Sequence, residues 1–351
     1  MKKLVFLFLV LALITGGAFA GGGSQSGSSG QAAPSGGAAA PAPAKKVVVK
    51  LGLENNPGEP VTDGVYEWSR LVAEKSKGTM ELQIFPSSQM GSKNEIIDQM
   101  LAGMAAITLA DGGFFADRGA PDMGITMGPY FFASWDEAWN LEKSQWWADQ
   151  AKILESKGLK ILAPNWIYGD RHTLTKRPIR TVDDFKGLKL RVPNNLMQIK
   201  GTEVMGATPT PMPLGEVYTS LQQGVIDGVE NPLPVLYGGK FQEVAKYLTL
   251  DGHIKLITVW FTGTKFFDTL TKEQQDILID TGKAAGLYNN NLAVKAADDV
   301  INKFKAEGVE IINIDMAKFQ EKAKAFYSNP EVTSKWTPGL VETTDKAKSG
   351  K

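Results

Sequence analysis

The sequence predicts an α/β fold of two similarly built lobes with a cleft between them, on three observations. Strand-period and helix-period segments alternate from residue 46 onward. One layout also occurs twice: Glu95-Ile96-Ile97-Asp98-Gln99-Met100-Leu101-Ala102-Gly103 and Glu216-Val217-Tyr218-Thr219-Ser220-Leu221-Gln222-Gln223-Gly224 each start acidic, keep apolar residues on one face, stop at Gly and run into a short strand. The folded part, about 300 residues, is long enough for two domains, and a cleft between domains is a common place for a ligand.

The elements follow in order. Val47 to Leu53 is nearly continuous in its apolar residues, as in a buried parallel strand. Val61, Val65, Trp68 and Val72 recur at helical spacing until Gly78, and Met80, Leu82 and Ile84 alternate in a strand closed by Pro86. Ser92-Lys93-Asn94-Glu95 is a capping box whose helix runs to Gly103, followed by a strand from Ala105 to Leu109 and the turn Asp111-Gly112-Gly113. This β-α-β-α-β order implies a parallel sheet with right-handed crossovers. Thr181-Val182-Asp183-Asp184 opens a short capped helix before the next strand. There Leu188, Leu190 and Val192 alternate with Lys189 and Arg191, and Pro193, which cannot donate to a ladder, ends the strand. Arg191 is thus left at the carboxyl end, where open α/β sheets place their ligand crevice. Its planar guanidinium suits a carboxylate, although a surface ion pair would use the same residue equally well. Thr271-Lys272-Glu273-Gln274 is a further capping box, opening a helical pattern to about Glu307. A strand is expected from Glu310 to Ile314, a last helix around Phe319, Ala323 and Phe326, and a loosely held tail over 337–351.

Composition narrows the function. The 351 residues carry 38 basic and 38 acidic side chains, a balance that argues against nucleic acid or an anionic membrane as the main partner. The absence of cysteine excludes disulfides, thiolate catalysis and cysteine-ligated metals, and with only His172 and His253 a histidine-rich metal site is not expected; no cofactor is implied. Lys2 and Lys3, the apolar run from Leu4 to Ile14 and Ala18-Phe19-Ala20 read as a signal peptide over 1–20. Residues 21–44, almost wholly Gly, Ser, Ala, Pro and Gln, read as a flexible linker.

Pro86-Ser87-Ser88-Gln89-Met90-Gly91, Gly187-Leu188-Lys189-Leu190-Arg191-Val192-Pro193, Met212 to Tyr218, and Leu221 to Pro232 with its Glu230-Asn231-Pro232 motif together resemble the substrate-binding subunit of tripartite ATP-independent periplasmic (TRAP) transporters, of the C4-dicarboxylate-binding type. The likeness runs from about residue 46 to about 330, with its motifs in order. It implies a type II-like periplasmic-binding-protein fold, each lobe a mixed, mostly parallel sheet flanked by helices. Lobe one would comprise 45–168 with about 257–296, and lobe two 169–256 with about 297–336. It also implies an exported, monomeric protein that captures an organic acid, closes on it, and delivers it to a membrane permease driven by an ion gradient. By the same resemblance Arg191 matches the arginine that clamps the ligand carboxylate, Arg171 a second ligand-facing arginine, and Asn231 an amide ligand. Glu54 and Asp111 stand where the family puts ligand-selecting polar residues, or are capping and surface carboxylates. Trp166 and Leu214 would line the pocket, with a core role open for Trp166; Asn194 would bind ligand or cap the next helix.

Two other classes remain in view. An enzyme would need a nucleophile–base pair, a Walker loop or a dinucleotide fingerprint, none of which the sequence contains; His172, beside Arg171, is the one candidate base. A ligand sensor for a membrane receptor would share fold and cleft and differ in partner. Processing is the first testable point: small residues follow Ala20, so the mature chain is expected to begin at Gly21, and amino-terminal sequencing that returns Met1 would refute it.

Overall fold

Val49 and Leu51 carry β1 (Val47–Gly52) into the interior of a computed structural model that describes residues 46–350. The expected signal peptide and linker lie outside the described residues. Pro60 stands in the first turn of α1 (Pro60–Lys75), where its missing N–H costs nothing. The chain then adds β2 (Met80–Phe85), α2 (Lys93–Ala102) and β3 (Ala106–Ala110). The capping box of Ser92 and Glu95 starts α2, and Gly103, at φ 112°, ends it in the left-handed region that glycine enters without penalty. β1 pairs in parallel with β2 on one side and β3 on the other, the expected β-α-β-α-β unit. Next come α3 (Gly112–Asp117), α4 (Trp135–Glu142) and α5 (Gln145–Ser156), which bury Phe115, Leu141 and Trp147 with Phe261 in one core.

β4 (Leu159–Thr175) crosses to a second set of parallel strands, β5 (Lys189–Val192), β6 (Thr208–Pro211) and β7 (Gly228–Pro232). These are interleaved with α6 (Leu196–Met205) and α7 (Val217–Gln222), and β7 runs straight into α8 (Leu233–Gly238). β8 (Tyr247–Gly263) crosses back. Among the described residues the strand order is β2-β1-β3-β8-β4-β7-β5-β6, a single mixed sheet. The sequence reading does not anticipate β4 and β8, each of 17 residues and antiparallel to one another, which join the two halves. Their pairing shifts register between Ile161 and Ala163, Ala163 and Trp166, Ile167 and Gly169, and Arg171 and Thr173. Pro164 and Gly169 fall within these irregularities, as residues that weaken a ladder should.

After α9 (Thr264–Phe267), α10 (Lys272–Ala306) runs unbroken for 35 residues. It packs on the irregular middle of β4 and satisfies its backbone. Asn289 Nδ2 donates to the Ile167 carbonyl at 2.9 Å, Asn290 Oδ1 accepts from the Ile167 N–H at 2.7 Å, and Asn290 Nδ2 donates to the Asn165 carbonyl at 2.9 Å. β9 (Glu310–Ile312) then joins the amino-terminal end of β8, and α11 (Met316–Ala323), α12 (Pro330–Thr333) and α13 (Leu340–Lys348) complete the chain. The expected tail after Trp336 is corrected here: α13 buries Leu340 and Thr344, and Asn140 on α4 donates to the Lys348 carbonyl at 2.9 Å. Leu340, Val341, Thr344 and Ala347 give that segment an apolar stripe, diluted in the sequence by the lysines around it.

Trp166 lies at the centre of the first half. Its ring centroid is 6.1 Å from that of Trp68 and 5.3 Å from that of Trp260, and its indole N–H donates to the Gly282 carbonyl at 3.0 Å. Glycines make the seat. A Cβ on Gly286 of α10 would stand 2.8 Å from Trp166 Cδ1, and one on Gly282 would stand 2.7 Å from Trp68 Cζ2. Gly286→Ala should gain about 1 kcal/mol of helix propensity but force the packed indole to move, at about 1–3 kcal/mol. We therefore expect a net loss of stability, read as a lower thermal midpoint; an unchanged or higher midpoint would show that the seat is loose.

Candidate ligand-binding cleft

The carboxyl ends of β1, β3, β5 and β7 and the middle of β4 and β8 converge on one cleft. Six of the eight residues singled out from the sequence line it: Glu54, Asp111, Arg171, Arg191, Leu214 and Asn231. They arrive from opposite sides. Glu54 follows β1 and Asp111 follows β3, whereas Arg191 is on β5, Asn231 on β7 and Leu214 in the turn after β6. Glu54 Oε1 accepts from the Leu214 N–H at 3.2 Å, so the two sides touch.

Arg191 alternates with the buried Leu190 and Val192, as a period of two requires, and its side chain is itself almost fully buried. Its Nε and Nη2 donate to the Met212 carbonyl at 3.0 and 2.7 Å. Among the described residues no carboxylate forms an ion pair with it. Burial lowers its guanidinium to about 10, offset in part by Glu54 and Glu230.

Arg171 is held differently. Across the β4–β7 ladder its Nη2 donates to Glu230 Oε1 at 2.6 Å and to the Glu230 carbonyl at 3.0 Å, while Nε donates to Oε2 in a two-pronged pair. Behind Glu230 stand His253, 3.1 Å from Oε2, and Asp251, whose Oδ2 lies 3.1 Å from the other ring nitrogen and accepts from Thr173 Oγ1 at 2.7 Å. Burial alone would neutralise these groups, but each is flanked by opposite charge. Arg171 and His253 hold Glu230 at about 2, and Asp251 and Glu230 raise His253 to about 9. Arg171, Glu230, His253 and Asp251 thus form a buried row of alternating sign.

Asn231 is buried, and its side-chain oxygen has no hydrogen-bond partner among the described residues. Asp111 caps α3 through the Gly113 N–H at 2.9 Å and also faces the cleft, so its two sequence readings coexist. Burial raises its carboxyl, and Lys93 and Arg171 moderate the rise.

Two candidates are corrected. Trp166 belongs to the three-tryptophan core rather than the cleft lining, because Gly64 and Gly286 open a seat for it there. Asn194 is exposed; the residue that caps α6 is Asn195, whose side chain accepts from the Gln198 N–H at 3.0 Å. His172 is not placed as a base in the cleft either. Its Nδ1 accepts from the Gly252 N–H at 3.0 Å, burial lowers its pKa, and it lines a separate groove.

The sequence reading missed Lys93, Tyr168 and Thr258, all of which line the cleft. Lys93 left a signal. It occupies the first position of α2, where the helix dipole disfavours a cation, and a residue that opposes its local preference often serves a site. Its Nζ lies 3.8 Å from Glu54 and 4.6 Å from the centroid of the Phe114 ring; burial lowers its pKa, with Glu54 and Asp111 working against the shift. Tyr168 offers its hydroxyl oxygen to Asn55 Nδ2 at 2.9 Å. The arrangement can hold a small anion and several hydroxyls: a buried guanidinium with no ion-pair partner among the described residues, two carboxylates, an ammonium and an amide line one cleft.

Comparison with known proteins identifies the family. The sequence profile described as bacterial extracellular solute-binding protein, family 7, matches residues 51–332. The structure is similar to a TRAP periplasmic solute-binding protein from Ochrobacterium anthropi with bound L-fuconate, at 42% identity and a TM-score of 0.83, covering 87% of this chain and 99% of that one. It is also similar to one from Actinobacillus succinogenes with bound L-galactonate, at 36% identity and a TM-score of 0.82, covering 86% and 99%. A curated relative, the 2,3-diketo-L-gulonate-binding periplasmic protein of Escherichia coli, is 32% identical over 275 residues, 78% of this chain and 83% of its own length. These relatives are solute-binding proteins, not enzymes. With four-fifths of its length matched by the profile and a two-lobed fold shared with such structures, the chain belongs to the extracellular solute-binding proteins of family 7, the binding subunits of TRAP transporters.

Proposed function

We propose that the protein captures a hydroxylated monocarboxylate of the sugar-acid class outside the cytoplasm and delivers it to an ion-gradient-driven permease. The observation that carries this reading is Arg191, a buried guanidinium whose one partner among the described residues is a backbone carbonyl, facing two carboxylates across the cleft. Arg191 takes the ligand carboxylate, Arg171 is presented rigidly by Glu230, Asn231 completes the anion's shell, and Glu54 and Asp111 accept from hydroxyls. Sugar acids bound to similar proteins support the ligand class. In this reading lobe one is 45–168 with about 257–296 and lobe two 169–256 with about 297–336. The hinge lies at the register shift where Ile167 faces Ile257 and Gly169 faces Leu256. Gly169 suits a hinge because its φ of 131° is costly for other residues. Lys93 favours a second reading, a dicarboxylate whose far end it would hold, but its ammonium already faces Glu54 and Asp111.

Two experiments with L-fuconate and L-galactonate test this. Arg191→Ala should cost about 2–5 kcal/mol of binding, or roughly 30-fold to several thousand-fold in affinity, because the ligand carboxylate would be left buried and unpaired. Arg191→Lys keeps the charge but not the fork and should fail almost as badly; a lysine variant binding within about threefold of the parent by calorimetric titration would remove Arg191 as the anchor. In the second experiment, Glu54→Gln and Asp111→Asn should weaken sugar-acid binding and strengthen binding of succinate. If both variants keep the parent's preference, the two carboxylates do not select the ligand.

A further inference from the structure

We propose that Glu59 is a proton-linked latch between the two lobes, so that closure over ligand takes up a proton at this residue; the proposal rests on the capture reading above. Glu59 is the residue before Pro60 at the start of α1, yet its side chain does not cap the helix. It is 2% exposed and turns instead toward the second half. Oε2 accepts from Asn55 Nδ2 at 2.7 Å and Oε1 from the Asn56 N–H at 3.0 Å. The neighbouring wall is Gly238, the last residue of α8: a Cβ there would stand 2.5 Å from Glu59 Oε1, and its carbonyl accepts from Asn56 Nδ2 at 3.1 Å. Glu59 therefore owes part of its burial to the seating of α8, which follows β7 in the other half, and moving the halves apart would return it to water.

The burial lacks a counter-charge. The groups around Glu59 are Asp63 on α1, Tyr168 on β4, Tyr237 and Lys240 on either side of Gly238, Glu243 beyond them, and Asp299, Lys303 and Glu307 on α10. Among the described residues none of the cations pairs with Glu59, and the charge that acts on it, Asp63, is of like sign. Burial, against the opposing hydrogen bonds of Asn55 and Asn56, raises its carboxyl from 4.5 to about 8. The state described here thus holds Glu59 as a neutral acid at neutral pH, while a solvated Glu59 would be ionised. The link to the cleft is direct: the Asn55 amide that donates to Glu59 also donates to the hydroxyl of Tyr168, which lines the site.

The direction follows from linkage. Between the two pKa values the closed state binds more protons than the open one, so a rise in pH through this window opposes closure and weakens binding, with no further change above about 8. One proton per closure gives up to about tenfold in affinity per pH unit. Calorimetric titration of the full chain with L-fuconate and L-galactonate from about pH 6 to about pH 9 should show this loss in the parent, and Glu59→Gln, an uncharged isostere, should flatten it. Equal slopes in parent and variant would overturn the latch and leave capture intact. If Glu59→Gln does not fold, titration of the parent near pH 7 in buffers of different ionisation enthalpy decides: uptake of close to one proton supports the proposal and no uptake overturns it. If neither acid binds at any pH, it is the capture reading for these acids that fails. The latch is then judged by small-angle scattering without ligand. A radius of gyration that grows with pH in the parent but not in the variant supports it, and matching behaviour overturns it.

Discussion

The pairing of β4 with β8 is the constraint on which the rest of the structure depends. The two strands run antiparallel through both halves, and among the described residues every other strand is attached to one of them, directly or through one or two intervening strands. The ladder does not stay regular over this length and breaks register at several points along it. The backbone groups freed there would be costly if left unmade, and Asn289 and Asn290 of α10 supply the missing partners. Helix and irregularity are therefore coupled: α10 lies across the stretch where the ladder loses its regular bonds and supplies partners there. Its glycines keep the helix close enough to hold Trp68 and Trp166.

The same irregularity shapes the cleft. Tyr168 and Arg171 lie on either side of the Gly169 irregularity and reach the site from it, while Trp166, just before, turns into the core. The electrostatics then follow an alternation. Isolated buried charges are expensive, and the row from Arg171 through Glu230 and His253 to Asp251 avoids that cost by giving each charge an opposite neighbour. Arg191 is the exception, supported by a carbonyl dipole and by more distant carboxylates. A protein that leaves a guanidinium in this condition gives up stability at the point where an anion would restore it.

Much of this was legible in the sequence, for local reasons. Period-two alternation and Pro193 located Arg191, the Ser92–Glu95 capping box located α2, and the repeat of helix, glycine and strand pointed to two similar halves. What escaped was written in non-local terms. β4 contains Pro164 and Gly169 and so does not scan as a strand; only its pairing with β8 and the amides of α10 make it one. Trp166 is ambiguous in the sequence because an indole fits a pocket or a core equally well, and the glycines that decide for the core, Gly64 and Gly286, both lie more than a hundred residues away in sequence. Asn194 and Asn195 are both plausible caps, and which one caps depends on where the helix begins. Lys93 could have been found, since a lysine in the first turn of a helix runs against the dipole.

The docking of α13 carries a consequence for covalent integrity. The chain passes between the halves along β4, along β8 and along α10, and passes again before α13, which settles beside α4 with the Lys348 ammonium over the Phe131 ring. Four strands of polypeptide therefore tie the halves together, like several threads through one seam. A single peptide-bond scission in any one of them leaves the others to keep the halves in register. Such a protein can meet extracellular proteases and still behave as one molecule after its first nick.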